Sequence, residues 1–66
     1  MNEGVRNKII EILRTSGKLD AVKISEELGL TYDTTSTYLR LMTRSGRILR
    51  RAEGKPWRHY YNLSEN

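Results

Sequence analysis

The chain has 66 residues, no cysteine and one histidine, and it carries a formal net charge of +4. This length suffices for one domain, which we take to span residues 1–66, and the absence of cysteine excludes disulfides and thiolate metal sites. Because there is a single histidine, we expect no zinc site made by this chain alone. The sequence has neither an apolar run of the ~20 residues that a membrane span requires nor the apolar stretch of a secretory signal, so we expect an intracellular, cytoplasmic chain.

Two helices are predicted in the first half of the chain. Apolar side chains recur at helical spacing over residues 3–16, and Gly17 follows as a natural C-terminal cap. A second helix is predicted over residues 21–28, because the carboxylate of Asp20 can accept hydrogen bonds from the free N–H groups of a first turn. Leu19 is expected to enter the core through a short connector between the two helices.

A third helix is predicted over residues 32–45, between Thr31 as its N-cap and Gly46 as its end. Helical spacing directs one set of its side chains inward. The predicted inward residues are Thr35, Tyr38, Leu39 and Met42.

A β-hairpin is predicted over residues 47–63, with its turn at Gly54 and Pro56. We expect Trp57 to cover the core beneath this hairpin, and we assign no chemistry to His59. Three helices followed by a two-stranded hairpin predict a mostly helical α+β fold.

Positive charge is concentrated in residues 40–58. This segment has seven basic residues and one acidic residue, a balance of +6, whereas residues 1–39 and 59–66 each have a balance of −1. A basic segment on a nearly neutral body is typical of proteins that bind polyanions. The alternative is a basic surface that contacts only solvent.

Residues 19–48, LDAVKISEELGLTYDTTSTYLRLMTRSGRI, resemble the winged helix-turn-helix family of small prokaryotic and viral transcription regulators. The resemblance rests on the second helix, which ends in Leu-Gly-Leu, on a Thr cap, and on a polar third helix that is followed by Gly and Ile. In addition, the Tyr-Tyr-Asn-Leu sequence of the hairpin resembles the family's wing. It implies a winged helix-turn-helix fold of three helices and a two-stranded wing. It also implies a transcription regulator, such as a repressor, that binds double-stranded DNA, associates with the nucleoid and needs no cofactor.

The candidate DNA-binding residues lie on the outer face of the third helix and on the wing. Those of the recognition helix are Thr31, Tyr32, Asp33, Ser36, Thr37, Arg40 and Arg44. Those of the wing are Arg50, Arg51, Lys55 and Arg58. Arg40 can pair with guanine O6 and N7, and the wing arginines can contact phosphates or a narrow minor groove. Asp33 and Arg44 have an alternative role, which is to complement the two ends of the helix dipole.

Three apolar residues, Ile10, Val22 and Leu41, occupy positions that are often polar in a monomer of this pattern. They are either isolated exposed residues, which are common, or part of a homodimer seam. A homodimer would place two recognition helices on a palindromic site.

Other functions fit the sequence less well. It has no Gly-rich phosphate loop and no clustered carboxylates, so we assign no catalytic residues and expect no enzyme and no small-molecule substrate. A protein-interaction module of a larger complex is a second alternative. Binding of Z-form nucleic acid comes last: Gly54-Lys55-Pro56-Trp57 is similar to the Pro-rich, Trp-containing wing of Z-DNA-binding winged helices, but Ser36 and Arg40 stand where that family has Asn and Tyr.

Overall fold

The computed structural model describes residues 2–64. They form three helices and three strands in the order α1 (Glu3–Ser16), β1 (Leu19–Asp20), α2 (Ala21–Leu28), α3 (Tyr32–Arg44), β2 (Ile48–Glu53) and β3 (Arg58–Leu63). The mostly helical α+β fold is confirmed, and α3 ends one residue earlier than predicted. Met1 and residues 65–66, which belong to the predicted domain range, lie outside the described residues. No helix within residues 2–64 has the length and hydropathy to cross a membrane.

Side-chain caps and one glycine define the turn between α2 and α3. Asp20 caps α2 by accepting a hydrogen bond from the backbone N–H of Lys23 at 2.8 Å, and Thr31 caps α3 by accepting one from the N–H of Thr34 at 3.2 Å. Gly29 ends α2 in the left-handed region, with φ 71° and ψ 28°, where a residue with a Cβ is strained. These contacts make a short turn that fixes the direction in which α3 leaves α2.

The sheet has a third strand that the sequence did not predict. β3 lies in the centre, between β1 and β2, and both pairings are antiparallel. Leu19 and Asp20 pair with Tyr61 and Tyr60, so the predicted connector at Leu19 is a strand. A two-residue strand has no periodicity that a sequence can reveal, and it forms because the edge of β3 would otherwise keep unpaired backbone groups.

Alternation along the hairpin divides its side chains between two faces of the sheet. Arg50 pairs with Tyr61, which is buried on the face that meets the helices, and Arg51 pairs with Tyr60 on the outer face. Lys18 lies over the ring of Tyr60, with its Nζ 5.3 Å from the ring centre. Because successive strand residues point to opposite faces, the two neighbouring arginines lie on opposite sides of the wing.

The core lies between the three helices and the inner face of the sheet. It consists of Ile9, Leu13, Ala21, Ile24, Leu39, Met42, Ile48 and Tyr61. Three of the four predicted inward residues of α3 are buried, and Tyr38 is half-buried. One side of α3 is therefore held against the core, and the opposite side is left to the surface.

Thr35 is fully buried in α3, and its hydroxyl has no hydrogen-bond partner among the described residues. A buried hydroxyl without a partner costs about 1–3 kcal/mol of desolvation. Valine has nearly the same shape and no polar atom, so Thr35→Val should raise the free energy of unfolding by about 1 kcal/mol, as measured by urea unfolding.

Thr43 is the matched control for this substitution. It lies in the same helix, but its hydroxyl donates to the carbonyl oxygen of Leu39 at 2.7 Å. Thr43→Val loses that hydrogen bond and should not stabilise the domain. A lower stability of the Thr35→Val variant would mean that the Thr35 hydroxyl is satisfied, for example by water.

Candidate nucleic-acid interface

A groove of about 380 Å³ lies between α3, the start of α2 and the hairpin. We call it the Trp57 groove. Its lining from α3 consists of Tyr32, Ser36 and Arg40; from the hairpin, Arg50, Trp57, Arg58, His59 and Tyr61; and from the start of α2, Asp20, Ala21 and Val22. One groove thus combines the exposed side of the predicted recognition helix with the inner face of the wing.

The contribution of α3 follows from helical spacing. Tyr32, Ser36 and Arg40 are four residues apart, so they lie above one another on a single face of the helix. Tyr32 and Arg40 are exposed and Ser36 is half-buried, whereas Thr35 and Leu39, which immediately precede Ser36 and Arg40, are fully buried. Packing of the inner side therefore presents two hydroxyl groups and a guanidinium to the groove.

Trp57 is the largest exposed apolar side chain of the domain, with 74% of its surface accessible. The expectation that it covers the core is wrong. Trp57 lies in the turn between β2 and β3, beyond the last paired residues of the hairpin, where the core is out of reach. An exposed indole in a groove that also contains arginines is typical of a binding surface, since its ring can pack on a ligand and its N–H can donate a hydrogen bond.

Most of the cations in and around the groove lack acidic partners. Elsewhere in the domain, Arg6, Arg14, Lys18 and Lys23 each form a salt bridge with a carboxylate. Within residues 2–64, no salt bridge involves Arg40, Arg44, Arg47, Arg50, Arg51 or Lys55. Six of the seven basic residues in segment 40–58 therefore keep a positive charge without an acidic partner among the described residues, as an anion-binding surface requires.

Arg58 differs from these cations because it has a structural contact. Its guanidinium lies 3.4 Å from Oδ2 of Asp20, and Oδ1 of the same carboxylate caps α2. Asp20 thereby connects the hairpin to the start of α2 and reduces the positive charge at that end of the groove. Arg58 lines the groove as predicted, but part of its function is to position the wing.

The structure brings together five of the predicted site residues in the Trp57 groove. They are Tyr32, Ser36, Arg40, Arg50 and Arg58. Lys55 is exposed in the hairpin turn, and Arg44 lines a neighbouring groove at the end of α3. Arg51 lies on the outer face of the sheet, away from both grooves.

Three other predicted residues of the recognition helix lie outside the groove. Thr31 is occupied as the N-cap of α3, and the hydroxyl of Thr37 donates to the carbonyl oxygen of Asp33 at 3.1 Å. Asp33 is exposed in the first turn, where a negative charge is favourable. These local roles in α3 account for the presence of Thr31, Asp33 and Thr37 without a bound ligand.

Among the exposed residues that line the groove, sequence reasoning missed three, namely Val22, Trp57 and His59. The useful signal was the position of Trp57 in a Gly- and Pro-containing turn, where a large aromatic residue has little to pack on. Val22, considered above for a dimer seam, is 49% exposed in the groove. Ile10 packs against the core and Leu41 borders a separate depression, so the three proposed seam residues lie in different environments.

Comparison with known proteins gave matches among solved structures only. No protein-family model matches the chain, and no curated protein sequence does. The Zα domain of Carassius auratus PKZ, solved in complex with Z-DNA, is 32% identical, with a TM-score of 0.78 over 91% of this chain and 92% of that one.

Two further structures of PKZ Zα domains match at lower identity. One is a complex with ds(CG)6, with 25% identity and a TM-score of 0.87 over 97% of this chain and 100% of that one. The other is the zebrafish domain without ligand, with 24% identity and a TM-score of 0.86 over 94% of each chain, and it supports the fold alone.

These matches confirm the winged-helix fold, but they give no support to the narrower group of small prokaryotic and viral regulators. They favour instead a relationship to Z-DNA-binding winged helices. The sequence favoured this relationship least, because Ser36 and Arg40 stand where that family has Asn and Tyr. Identity of 32% over nine-tenths of both chains outweighs two differing positions. The chain belongs to the Zα family of winged-helix domains.

Proposed function

We propose that this domain binds left-handed, Z-form double-stranded nucleic acid in the Trp57 groove. The observation that carries the proposal is Trp57, which is exposed in the same groove as the outer face of α3. The relative with 32% identity was solved in complex with Z-DNA, which supports this ligand. The proposed activity is binding, without catalysis, and an intracellular location remains part of the proposal.

The shared groove favours a ligand that α3 and the wing contact at the same place. A B-form major groove is about 12 Å wide and can receive an α-helix by itself, with the wing reaching a different part of the duplex. Here Tyr32, Ser36 and Arg40 share their groove with Arg50 and Trp57. In Z-form helices the phosphates follow a zigzag path and the guanine edges lie on the convex outer surface, so one shallow surface can contact both.

Each groove residue has a chemical role in this proposal. The guanidinium of Arg50 and the hydroxyl groups of Tyr32 and Ser36 contact phosphate oxygens. The Trp57 ring packs against sugar and base edges, and its N–H donates to a phosphate. Arg40, which replaces the family's tyrosine, donates to N7 and O6 of an exposed guanine.

A sequence-specific transcription regulator that binds B-form DNA is the second candidate. Arg40 favours it, because an arginine on a recognition helix can read guanine in the major groove as well. In this alternative the domain acts as a homodimer on a palindromic site, for instance as a repressor. A protein-interaction module is less favoured, since it gives no role to the uncompensated arginines.

Circular dichroism tests the two candidates directly. The domain should invert the spectrum of an alternating dC-dG duplex at low salt, and it should leave a mixed-sequence duplex of equal length in the B form. Arg40→Ala should weaken binding to the alternating duplex by about 1–3 kcal/mol, the usual value of a guanine contact.

The opposite results would support the regulator. They are an unchanged spectrum for the alternating duplex, together with selection of a defined palindrome from a pool of random B-form duplexes. Loss of binding by Arg40→Ala for that palindrome alone would then assign Arg40 to base recognition in the major groove.

A further inference from the structure

A second groove lies beside the Trp57 groove, at the C-terminal half of α3. It has a volume of about 550 Å³ and is lined by Arg40, Thr43, Arg44 and Arg50. We call it the arginine groove. Arg40 and Arg50 line both grooves, so these two side chains form the ridge between them. Arg44 lines the arginine groove only, and Trp57 lines the Trp57 groove only.

The lining of the arginine groove is suited to anions. Three of its four residues are exposed arginines that form no salt bridge with any part of the chain that the structure describes, and no carboxylate lines the groove. The hydroxyl proton of Thr43 is already donated to the carbonyl oxygen of Leu39. Hydrogen bonds to a ligand therefore come from guanidinium groups, whose planar donor pairs match phosphate oxygens.

The occupant also has to relieve repulsion among these arginines. Three positive charges around one concave surface raise its potential, and a polyanion lowers it by replacing small counterions. The groove has no aromatic or exposed aliphatic residue that would suit an apolar peptide. Its continuity with the Trp57 groove across Arg40 and Arg50 means that a chain of phosphates can leave one groove and enter the other.

We propose that the arginine groove binds the phosphodiester backbone of the same nucleic acid, next to the segment held in the Trp57 groove. This inference rests on the proposed function and extends it. The Trp57 groove selects the form of the duplex, whereas the arginine groove contacts phosphates without regard to bases. The binding surface of the domain is accordingly larger than the part of α3 and the wing that surrounds Trp57.

Arg44→Gln tests the proposal, with Arg51→Gln as the matched control. Both substitutions remove one exposed arginine charge, but Arg51 is on the outer face of the sheet and lines neither groove. The probe is an alternating dC-dG duplex held in the Z form by 5-bromocytosine, so its form does not change with salt. Affinity is measured by fluorescence anisotropy across a salt series, after thermal unfolding has checked that each variant folds.

Each phosphate contact contributes about 0.9 to the slope of log affinity against log salt concentration. Arg44→Gln should reduce the slope of the wild-type domain by about that amount and lower the affinity roughly three- to tenfold at low salt. Arg51→Gln should change the slope by less than half as much. A variant of Trp57 should lose affinity while its slope changes little, because a ring contact releases no counterion.

If Arg44→Gln and Arg51→Gln changed the salt dependence of affinity equally, the proposal that the arginine groove binds phosphates would be overturned. The proposed function would remain intact. Failure of the proposed function is a separate result. It would be seen as no preference of the wild-type domain for the brominated duplex over a mixed-sequence B-form duplex, and it would overturn this extension as well.

Discussion

Trp57→Ala is expected to weaken binding to the brominated alternating duplex by about 1–3 kcal/mol, or roughly 5- to 150-fold. The indole supplies a large ring and one hydrogen-bond donor to the groove, and alanine supplies neither. Because 74% of the side chain is accessible in the free domain, its removal leaves no cavity. The free energy of unfolding should therefore stay within about 0.5 kcal/mol of the wild-type value.

Trp57→Phe separates the two contributions of the indole. Phenylalanine keeps an aromatic ring but has no N–H, so it should recover part of the lost affinity. Affinity can be measured by fluorescence anisotropy and stability by urea unfolding of the same preparations. If Trp57→Ala bound the Z-form duplex as tightly as the wild-type domain, the groove between α3 and the wing would not be the binding site.

Leu39→Ala should reduce the free energy of unfolding by about 2–5 kcal/mol. Leu39 is fully buried in the middle of α3, and the helices and sheet around it cannot close the space that alanine would leave. A domain of this length has roughly 3–10 kcal/mol of stability in total. The loss is therefore a large part of the total, and the urea midpoint of the variant should fall markedly although Leu39 does not line the groove.

Leu49→Ala is the matched control. Leu49 is the same residue type, but it lies on the outer face of β2 and is 42% exposed, so its truncation should cost much less. Excess Z-form duplex should raise the melting temperature of the Leu39→Ala variant, because a ligand of the folded state shifts the folding equilibrium. A Leu39→Ala domain as stable as Leu49→Ala would contradict the central position of Leu39 in the core.

The family relationship shows how two kinds of sequence signal can disagree. Ser36 and Arg40 differ from the pattern of Z-DNA-binding domains. For that reason the sequence favoured Z-form binding less than a transcription regulator or a protein-interaction module. The fold depends instead on buried residues and turns, such as Leu39, Met42 and Gly29, which keep the backbone path whatever the exposed face carries. The double substitution Ser36→Asn and Arg40→Tyr introduces the family pattern and leaves those buried positions untouched, so the effect of these two groove positions on binding can be tested directly.

The helices could be predicted from the sequence because their signals are local. Apolar residues at helical spacing, the capping side chains of Asp20 and Thr31, and Gly29 in the left-handed turn all act within one or two turns of chain. The concentration of arginines after residue 40 is likewise a property of the sequence alone. These features determined three helices, a basic hairpin and a polyanion as the expected ligand.

The tertiary structure decided which of these residues act together. The strand at Leu19 exists because β3 brings an unpaired edge to it, and Arg50 rather than Arg51 lies on the side of the helices because the register pairs Arg50 with the buried Tyr61. The exposure of Trp57 depends on how far the hairpin extends beyond the core. Each outcome depends on contacts between segments distant in sequence, and local propensity carries no information about such contacts.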